Sequence, residues 1–330
     1  ILVGLIQRST YSYKFPQFLK SNIFPLKARI FDRICGLLCI ILCQNLLKTC
    51  SGCSMEPMVV MAARAAQTVG QELLKAHQNR HKLDLQVEDK GIDGPVTRVD
   101  RYLEQLTIDT LRKSYKNHSF LGEEFGFQEG RGHDADWCWV IDPLDGTQNF
   151  INGFPHFCIS IAVQHKGVTQ HGVIYDPVRD ELFSASRGRG AVLNQRRIRV
   201  NVKESLENTF LAVGHPYRAL RDDEIVSYAE QHFASLLAVT KAGAQIRRDG
   251  SAALDLAYVA AGRFDGFFEL GLRPWDIAAG ELIVREAGGV VVDARGGQDS
   301  MDNGQVLACA LKMLKPLMQT VVPAWDLAAK

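Results

Sequence analysis

The sequence predicts an α/β (α+β) protein in which an antiparallel strand meander is followed by an alternating α/β half. Five apolar, strand-like runs crowd between Ser119 and Ser186, and the later ones are joined by turns too short for crossover helices. Beyond about residue 205, helical and strand-like patterns alternate. The composition is that of an ordinary globular chain: 330 residues, 46% hydrophobic, 23% charged, with 38 Lys+Arg against 37 Asp+Glu. That much apolar surface excludes a disordered protein. A net charge of +1 argues against a general nucleic-acid binder, and eight Cys are too few for a disulfide scaffold.

The charge is unevenly spread. Residues 1–54 carry seven basic residues and one acid, Asp32, for a net +6, and the remainder carries −5. Five of the eight Cys (Cys35, Cys39, Cys43, Cys50 and Cys53) also fall there. The apolar run at 34–43 has ten residues, against about 20 for a membrane-spanning helix. Behind Lys27, Arg29 and Arg33 it has the make-up of a signal-peptide core. Ser51-Gly52-Cys53 faintly matches a lipoprotein cleavage site, with Cys50 where an aliphatic residue is wanted. Cys50 and Cys53 form a C-x-x-C with no second pair and no following βαβ pattern, a weak redox or zinc signal. Met55 opens an unbroken helical pattern, as a natural start would. Residues 1–54 therefore read as a disordered or spurious extension outside the working protein, with a targeting segment as the alternative. Residues 55–330 read as one catalytic domain with halves of about 55–200 and 201–330.

Each element follows from its pattern. Met58, Met61, Ala62, Ala65, Ala66, Val69, Leu73 and Leu74 recur at helical spacing, which predicts an amphipathic helix over 56–77. His77 and His81 lie four apart; an exposed polar face explains them more simply than a metal pair. The stretch 89–95 is turn-rich, with two Gly and a Pro. Asp100 can cap a second helix running to about Tyr115, with Leu103, Leu106 and Leu111 on its buried side. Strands are expected at 119–122, 137–141, 157–165, 168–175 and 182–186. Helices follow at 222–234, 251–261 and 277–287, and strands at 264–270 and 289–293. Ligands collect at the strand ends of such an arrangement.

Carboxylates concentrate in three of those loops. Glu123 and Glu124 follow Gly122 at the end of a short strand. Asp142 ends an apolar strand, Pro143 stops the ladder, and Asp145-Gly146-Thr147 forms a tight turn with exposed N–H groups and a hydroxyl. Asp276 stands at the entrance of the third late helix. Taken singly, Asp100 and Asp276 are ordinary helix caps, Asp145-Gly146 a common turn and Glu123-Glu124 a solvated loop. Together, four of these carboxylates (Glu123, Asp142, Asp145 and Asp276), with no His or Cys among them, are oxygen ligands for a hard dication such as Mg²⁺. The N–H groups around Gly146 and Thr147 suit an anion. Acids for Mg²⁺ beside a phosphate cradle point to metal-assisted phosphoester hydrolysis.

Gly122-Glu123-Glu124, Asp142-Pro143-Leu144-Asp145-Gly146-Thr147 and Trp275-Asp276 resemble the signatures of the inositol monophosphatase family. The resemblance runs from about 58 to 311 and is strongest for the bacterial SuhB branch, through 139–150, 155–163 and 250–289. Gln148 stands where a second Thr is usual, and no expected acid is missing. The resemblance implies a layered α-β-α-β-α sandwich, a homodimer, a cytoplasmic location, sensitivity to Li⁺, and two or three Mg²⁺ per active site. It implies that Glu123, Asp142 and the Leu144 carbonyl hold the metal that activates water. Asp142, Asp145 and Asp276 would hold the metal at the leaving oxygen, and Glu123 would contact a third. Gly146 and Thr147 would bind phosphate, with Thr147 paired to Asp100 to orient the water. Asp145, Ser251, Ala252, Glu269 and Asp276 match substrate-contacting positions. The implied reaction is Mg²⁺-dependent hydrolysis of inositol monophosphate, or a related polyol or sugar phosphate monoester, to the alcohol and phosphate.

Superfamily relatives act on adenosine 3′,5′-bisphosphate, fructose 1,6-bisphosphate and histidinol phosphate, so these are the alternative substrates. The SuhB branch is also associated with ribosomal RNA transcription antitermination through RNA polymerase-associated factors, which is the alternative function. The −5 of the core speaks against direct nucleic-acid binding. Arg247-Arg248 is the nearest basic pair, and a dimer contact or salt-bridged loop explains it more simply.

Overall fold

The structure, a computed structural model, describes residues 56–83, 85–89, 95–216, 218–221 and 224–325. Residues 1–54, and with them the apolar run at 34–43 and the Cys50/Cys53 pair, lie outside the described residues. Helix α1 (Pro57–Asn79) has Pro in its first turn, where the missing N–H costs nothing, and buries Val59, Ala62, Ala66, Val69 and Leu73 along one stripe. His77 does not lie on a purely polar face: its ring packs against Phe150 and Phe157. Strands β1 (Glu88–Asp89) and β2 (Pro95–Val96) pair antiparallel. Helix α2 (Arg98–Arg112) starts before the expected cap. Thr97 is its N-cap, its hydroxyl accepting from the Val99 N–H at 3.1 Å. Asp100 sits inside the first turn and accepts from the Thr97 N–H at 2.9 Å. The pair forms a capping box with Asp as the returning acid, a variant the S/T-x-x-E pattern does not advertise.

Strands β3 (Ser119–Gly122), β4 (Gly126–Gln128), β5 (Trp137–Asp145), β6 (Cys158–His165), β7 (Val168–Asp176), β8 (Glu181–Ser186), β9 (Gly190–Leu193) and β10 (Arg196–Arg197) form one sheet in the order β10-β9-β8-β7-β6-β5-β3-β4. From β5 to β10 it is the expected antiparallel meander. β3 joins it parallel to β5, Ser119 opposite Cys138. Pro143 does not end β5. The strand runs on to Asp145 through a register shift between Asp142 and Asp145, and a Pro fits there because a bulged residue owes the ladder no N–H. Helix α3 (Thr147–Asn152) follows directly.

In the second half, β11 (Phe210–Val213) precedes a two-stranded hairpin, β12 (Arg218–Arg221) and β13 (Glu224–Ser227). The helix expected over 222–234 is thereby corrected: α4 spans Ala229–Lys241. The Ile225-Val226 pair is β-branched and loses side-chain freedom in a helix, which favours the hairpin. Then come β14 (Gln245–Arg247), α5 (Ala252–Ala260), β15 (Gly266–Leu270), α6 (Pro274–Glu286), β16 (Gly289–Val292), α7 (Ser300–Asn303), β17 (Gln305–Ala310) and α8 (Leu311–Trp325). The second sheet has the order β14-β11-β15-β17-β16. Its first three strands run parallel, and β17 is antiparallel to both neighbours.

Three apolar clusters define five layers. Val69 and Leu73 of α1 and Leu103 and Leu111 of α2 pack with Trp139, Ile141, Ile161 and Val163 on one face of the first sheet. Val140, Ala162 and Ile174, on its other face, pack with α5 and α6 through Leu254, Ile277 and Ile283, which also meet Phe267, Val306 and Ala308 of the second sheet. Leu211, Phe268 and Leu307 turn the opposite way, towards Val239 of α4 and Met313, Leu317 and Trp325 of α8. The period-two alternation of Trp139, Val140 and Ile141 between two cores is what a sheet covered on both faces requires. The result is the α-β-α-β-α sandwich. No helix among the described residues is long and apolar enough to cross a membrane.

Candidate active site

The three acidic loops converge at one end of the first sheet and the start of α6. β5 carries Asp142 into the interior, where it is 1% exposed. One of its oxygens, Oδ1, accepts from the Leu144 N–H at 2.9 Å, so the carboxylate folds over its own bulge. Glu123 follows β3, which is laid beside β5 by parallel pairing, and its N–H donates to the Ile141 carbonyl at 3.3 Å. Asp276 lies in the first turn of α6, one oxygen accepting from the Arg273 N–H at 2.7 Å. The Trp275 carbonyl accepts from the Ser160 hydroxyl at 3.2 Å, which ties this turn to β6. Burial, reinforced by the negative charges of Glu123, Asp145 and Asp276, pushes the Asp142 carboxyl well above the usual carboxylate range. Three like charges around a dry carboxylate are electrostatically costly, and a bound dication is the physical remedy.

Asp145 is fixed from the other half of the chain. Its Oδ2 accepts from the Ser251 hydroxyl at 2.5 Å and the Ala253 N–H at 2.8 Å. Ser251 is the N-cap residue of α5, yet its hydroxyl serves Asp145 and not its own helix. Ala252, at the first position of α5, is buried beside it. Burial raises the Asp145 carboxyl, and the Ser251 and Ala253 donors oppose that shift. Gly146 adopts φ +97°, and a Cβ there would lie 2.9 Å from the His156 carbonyl, so only glycine completes the turn.

Asp100 reaches this turn from α2. Its Oδ1 accepts from the Thr147 hydroxyl at 2.9 Å, and the Leu144 carbonyl, at 3.0 Å, is that hydroxyl's alternative acceptor. Burial raises the Asp100 carboxyl, against the bonds from Thr97 and Thr147 that lower it. Glu269, on β15, accepts from the His215 N–H at 3.0 Å, and burial pushes it up to about 8. All the acids expected to hold metal therefore meet in one place, with Thr147, Asp100, Ser251 and Ala252 around them. Arg247 and Arg248 are both exposed; the Arg247 guanidinium lies 4.7 Å over the Phe210 ring, and Arg248 Nη2 is 2.7 Å from His215 Nδ1.

Two supporting residues escape sequence reasoning. Glu104 of α2 is fully buried and accepts from the Glu124 N–H at 2.7 Å and the Phe125 N–H at 3.0 Å, which shapes the loop that carries Glu123. The Asn149 amide donates to the His156 carbonyl at 2.7 Å and the Asp249 carbonyl at 2.8 Å, joining the Asp145–Thr147 turn to the loop before α5. Glu104 is visible in sequence only as an acid on a helix otherwise rich in polar residues. Asn149 bonds a partner a hundred positions away.

A profile of the inositol monophosphatase family matches residues 54–325. The Nus factor SuhB of Pseudomonas aeruginosa is 48% identical over 270 residues, 82% of this chain and 97% of that protein. Among solved structures, the extragenic suppressor protein suhB of Bartonella henselae superposes with a TM-score of 0.73 at 38% identity, over 83% of this chain and all of that one. An IMPase from Thermotoga maritima gives 0.72 at 32% identity, over 82% and 98% of the two chains.

Proposed function

Because the chain belongs to the inositol monophosphatase family, we propose that it hydrolyses inositol monophosphate, or a closely related polyol phosphate monoester, in a Mg²⁺-dependent reaction. The observation that carries this reading is the buried Asp142 carboxylate, set among Glu123, Asp145 and Asp276 beside the Gly146–Thr147 turn. The donor set is all oxygen, the set that hard dications select. Glu123, Asp142 and the Leu144 carbonyl would hold one Mg²⁺, Asp142, Asp145 and Asp276 a second, and Glu123 would touch a third. Bound Mg²⁺ would supply charge neutralisation and lower the pKa of a water bound to it.

The remaining steps belong to the chain's own side chains. Asp100 orients the Thr147 hydroxyl, which in turn aligns the attacking water. The N–H groups of Gly146 and Thr147 receive the phosphate oxygens. The bonds from Ser251 and Ala253 to Asp145 fix its direction, and Ser251, Ala252, Glu269, Asp145 and Asp276 face the alcohol part of the substrate. In the metal-free protein burial, reinforced by Asp276 and Asp145, pushes the Glu269 carboxyl up to about 8, and the side chain is placed to exchange hydrogen bonds with a substrate hydroxyl. Catalysis is then positioning plus electrostatics, with no covalent intermediate on the protein.

Purified protein assayed against a panel of phosphate monoesters should require Mg²⁺ and lose activity in EDTA. Li⁺ should inhibit. Excess Ca²⁺ should inhibit too, because it prefers looser oxygen shells at 2.3–2.6 Å. Full activity in EDTA would overturn the reading. Glu269→Gln keeps the shape and the hydrogen-bonding capacity of a protonated acid. It should mainly raise KM or reorder the substrates while kcat stays within a few-fold; a collapse of kcat with unchanged KM would place Glu269 in the chemical step.

We further propose that residues 55–330 are the whole catalytic unit, acting as a homodimer in the cytoplasm. Met55–Lys330 is a compact unit by itself, and Cys138, Cys158 and Cys309 are free thiols, which suits a reducing compartment. Removal of residues 1–54 should leave kcat and Tm unchanged. If that segment packed on the core, even ~100 Å² of newly exposed apolar surface would cost about 2.5 kcal/mol, a loss calorimetry detects readily.

The relatives' name, Nus factor, favours a second reading, in which the protein also works with RNA polymerase-associated factors. Complementation of a deletion strain separates the two. A catalytically inactive variant that restores growth supports the transcription role, and one that fails while wild type succeeds supports the phosphatase.

A further inference from the structure

Behind the active-site turn lies a second group of metal-ligating side chains. His156 sits between α3 and β6, Asp249 in the loop before α5, and Asp255 within α5. One ligand atom from each lies within 4.8 Å of those of the other two, the one such group among the described residues. His156 is 3% exposed and Asp255 1% exposed. His156 Nε2 and Asp255 Oδ1 are buried and have no hydrogen-bond partner among the described residues. Buried polar atoms are almost always satisfied, so two orphans that share one small space call for a missing partner. The neighbourhood is negative: Asp255 also feels Glu269 and Asp145. The positive group near His156, Arg179, is already paired with Asp176 at 2.8 Å. Burial lowers the His156 pKa, which leaves its imidazole neutral and able to donate a lone pair.

We propose that His156, Asp249 and Asp255 bind a first-row transition-metal dication of the zinc class, at a site separate from the four-carboxylate centre. One imidazole nitrogen with two carboxylate oxygens suits Zn²⁺ better than Mg²⁺, which prefers oxygen throughout. Three protein ligands and a water would complete a tetrahedral shell. The ion would clamp the His156 loop to α5, the two pieces of backbone that the Asn149 amide already bridges at His156 and Asp249. Since the His156 carbonyl abuts Gly146, the clamp would stiffen the turn that carries Gly146 and Thr147. It does not depend on which reaction the neighbouring centre performs.

The test uses the full chain, stripped with EDTA and returned to buffer with excess Mg²⁺ to fill the four-carboxylate centre, with Zn²⁺ alone as the probe. Wild type and Asp142→Asn should each bind one equivalent of Zn²⁺ in equilibrium dialysis and gain several degrees in Tm. His156→Asn and Asp255→Asn should lose both the equivalent and the gain. Metal-free Asp255→Asn should melt close to wild type, because burial already holds the Asp255 carboxyl well above the usual carboxylate range and Asn is a neutral group of the same shape, so its loss of Zn²⁺ cannot be put down to misfolding. Substituting Co²⁺ should give a visible absorption band that His156→Asn abolishes. The proposal is overturned if wild type takes up no Zn²⁺ under excess Mg²⁺. It is equally overturned if both variants bind as wild type does, or if the equivalent disappears in Asp142→Asn instead.

Discussion

Asp142→Asn is expected to lower kcat by on the order of 10³-fold while leaving the metal-free Tm unchanged or higher. The carboxylate is 1% exposed, and Glu123, Asp145 and Asp276 all disfavour its charge. Asn keeps the shape and an oxygen able to accept from the Leu144 N–H, so the β5 bulge should survive. What disappears is the charge placed to serve two cations at once. Loss of several kcal/mol of transition-state stabilisation, at 1.36 kcal/mol per tenfold, gives the expected factor. Without metal, burial and the neighbouring acids already hold the Asp142 carboxyl well above the usual range, so its neutral isostere Asn should not weaken the metal-free fold. Steady-state kinetics at saturating Mg²⁺ and calorimetry in EDTA give both numbers. Near-normal kcat would remove Asp142 from the metal assignment, and a large fall in metal-free Tm would show that its charge is structural.

Gly122→Ala is expected to lower Tm by roughly 10 °C and to reduce activity at the same time. A Cβ at position 122 would clash with the Glu104 carboxylate, at both Oε1 and Cδ. Glu104 cannot simply swing away, because it is fully buried and accepts from the Glu124 and Phe125 N–H groups. Hydrogen bonds to a charged group contribute about 1.5–3 kcal/mol each, so displacing the carboxylate costs ~3–5 kcal/mol. For a domain of this size each kcal/mol shifts Tm by about 2–4 °C. The loop so disturbed carries Glu123, which links the stability loss to the catalytic one. The double variant Gly122→Ala/Glu104→Ala should cost clearly less than the two single changes added together, since the clash is gone once Glu104 is truncated. Strict additivity would mean that the two residues do not meet.

The parts of the site legible in the sequence are those whose signal is local. An apolar strand ending in Asp-Pro-Leu-Asp-Gly-Thr marks a turn, its acids and its exposed N–H groups within nine residues, and Trp275-Asp276 marks a helix entrance. The same holds for the fold class, because period-two runs with short turns permit little besides a meander. Local pattern failed where a neighbour in space overruled it. Residues 224–227 fall inside the span expected to be helical, yet they pair antiparallel with 218–221. Pro143 looks like a strand end until the β5–β6 register absorbs it as a bulge. Asp100 looks like a cap because Thr97, three residues earlier, takes that place only once the helix has a fixed start.

Residue types, and the chemistry they allow, were therefore determined by the sequence alone: four oxygen-donor acids, a glycine turn, and the absence of a Cys or His nucleophile among them. Tertiary structure alone decided which of those groups share a desolvated space. Asp145 is held by Ser251 from 106 positions away, and the Glu123 loop by Glu104 across the α2–β3 interface. The trio of His156, Asp249 and Asp255 exists only because the loop before β6 and the start of α5 are packed together. The physical reason is one of range. Propensity and periodicity act over a few residues of chain, whereas desolvation and Coulomb repulsion depend on distance in space, whatever the separation in sequence.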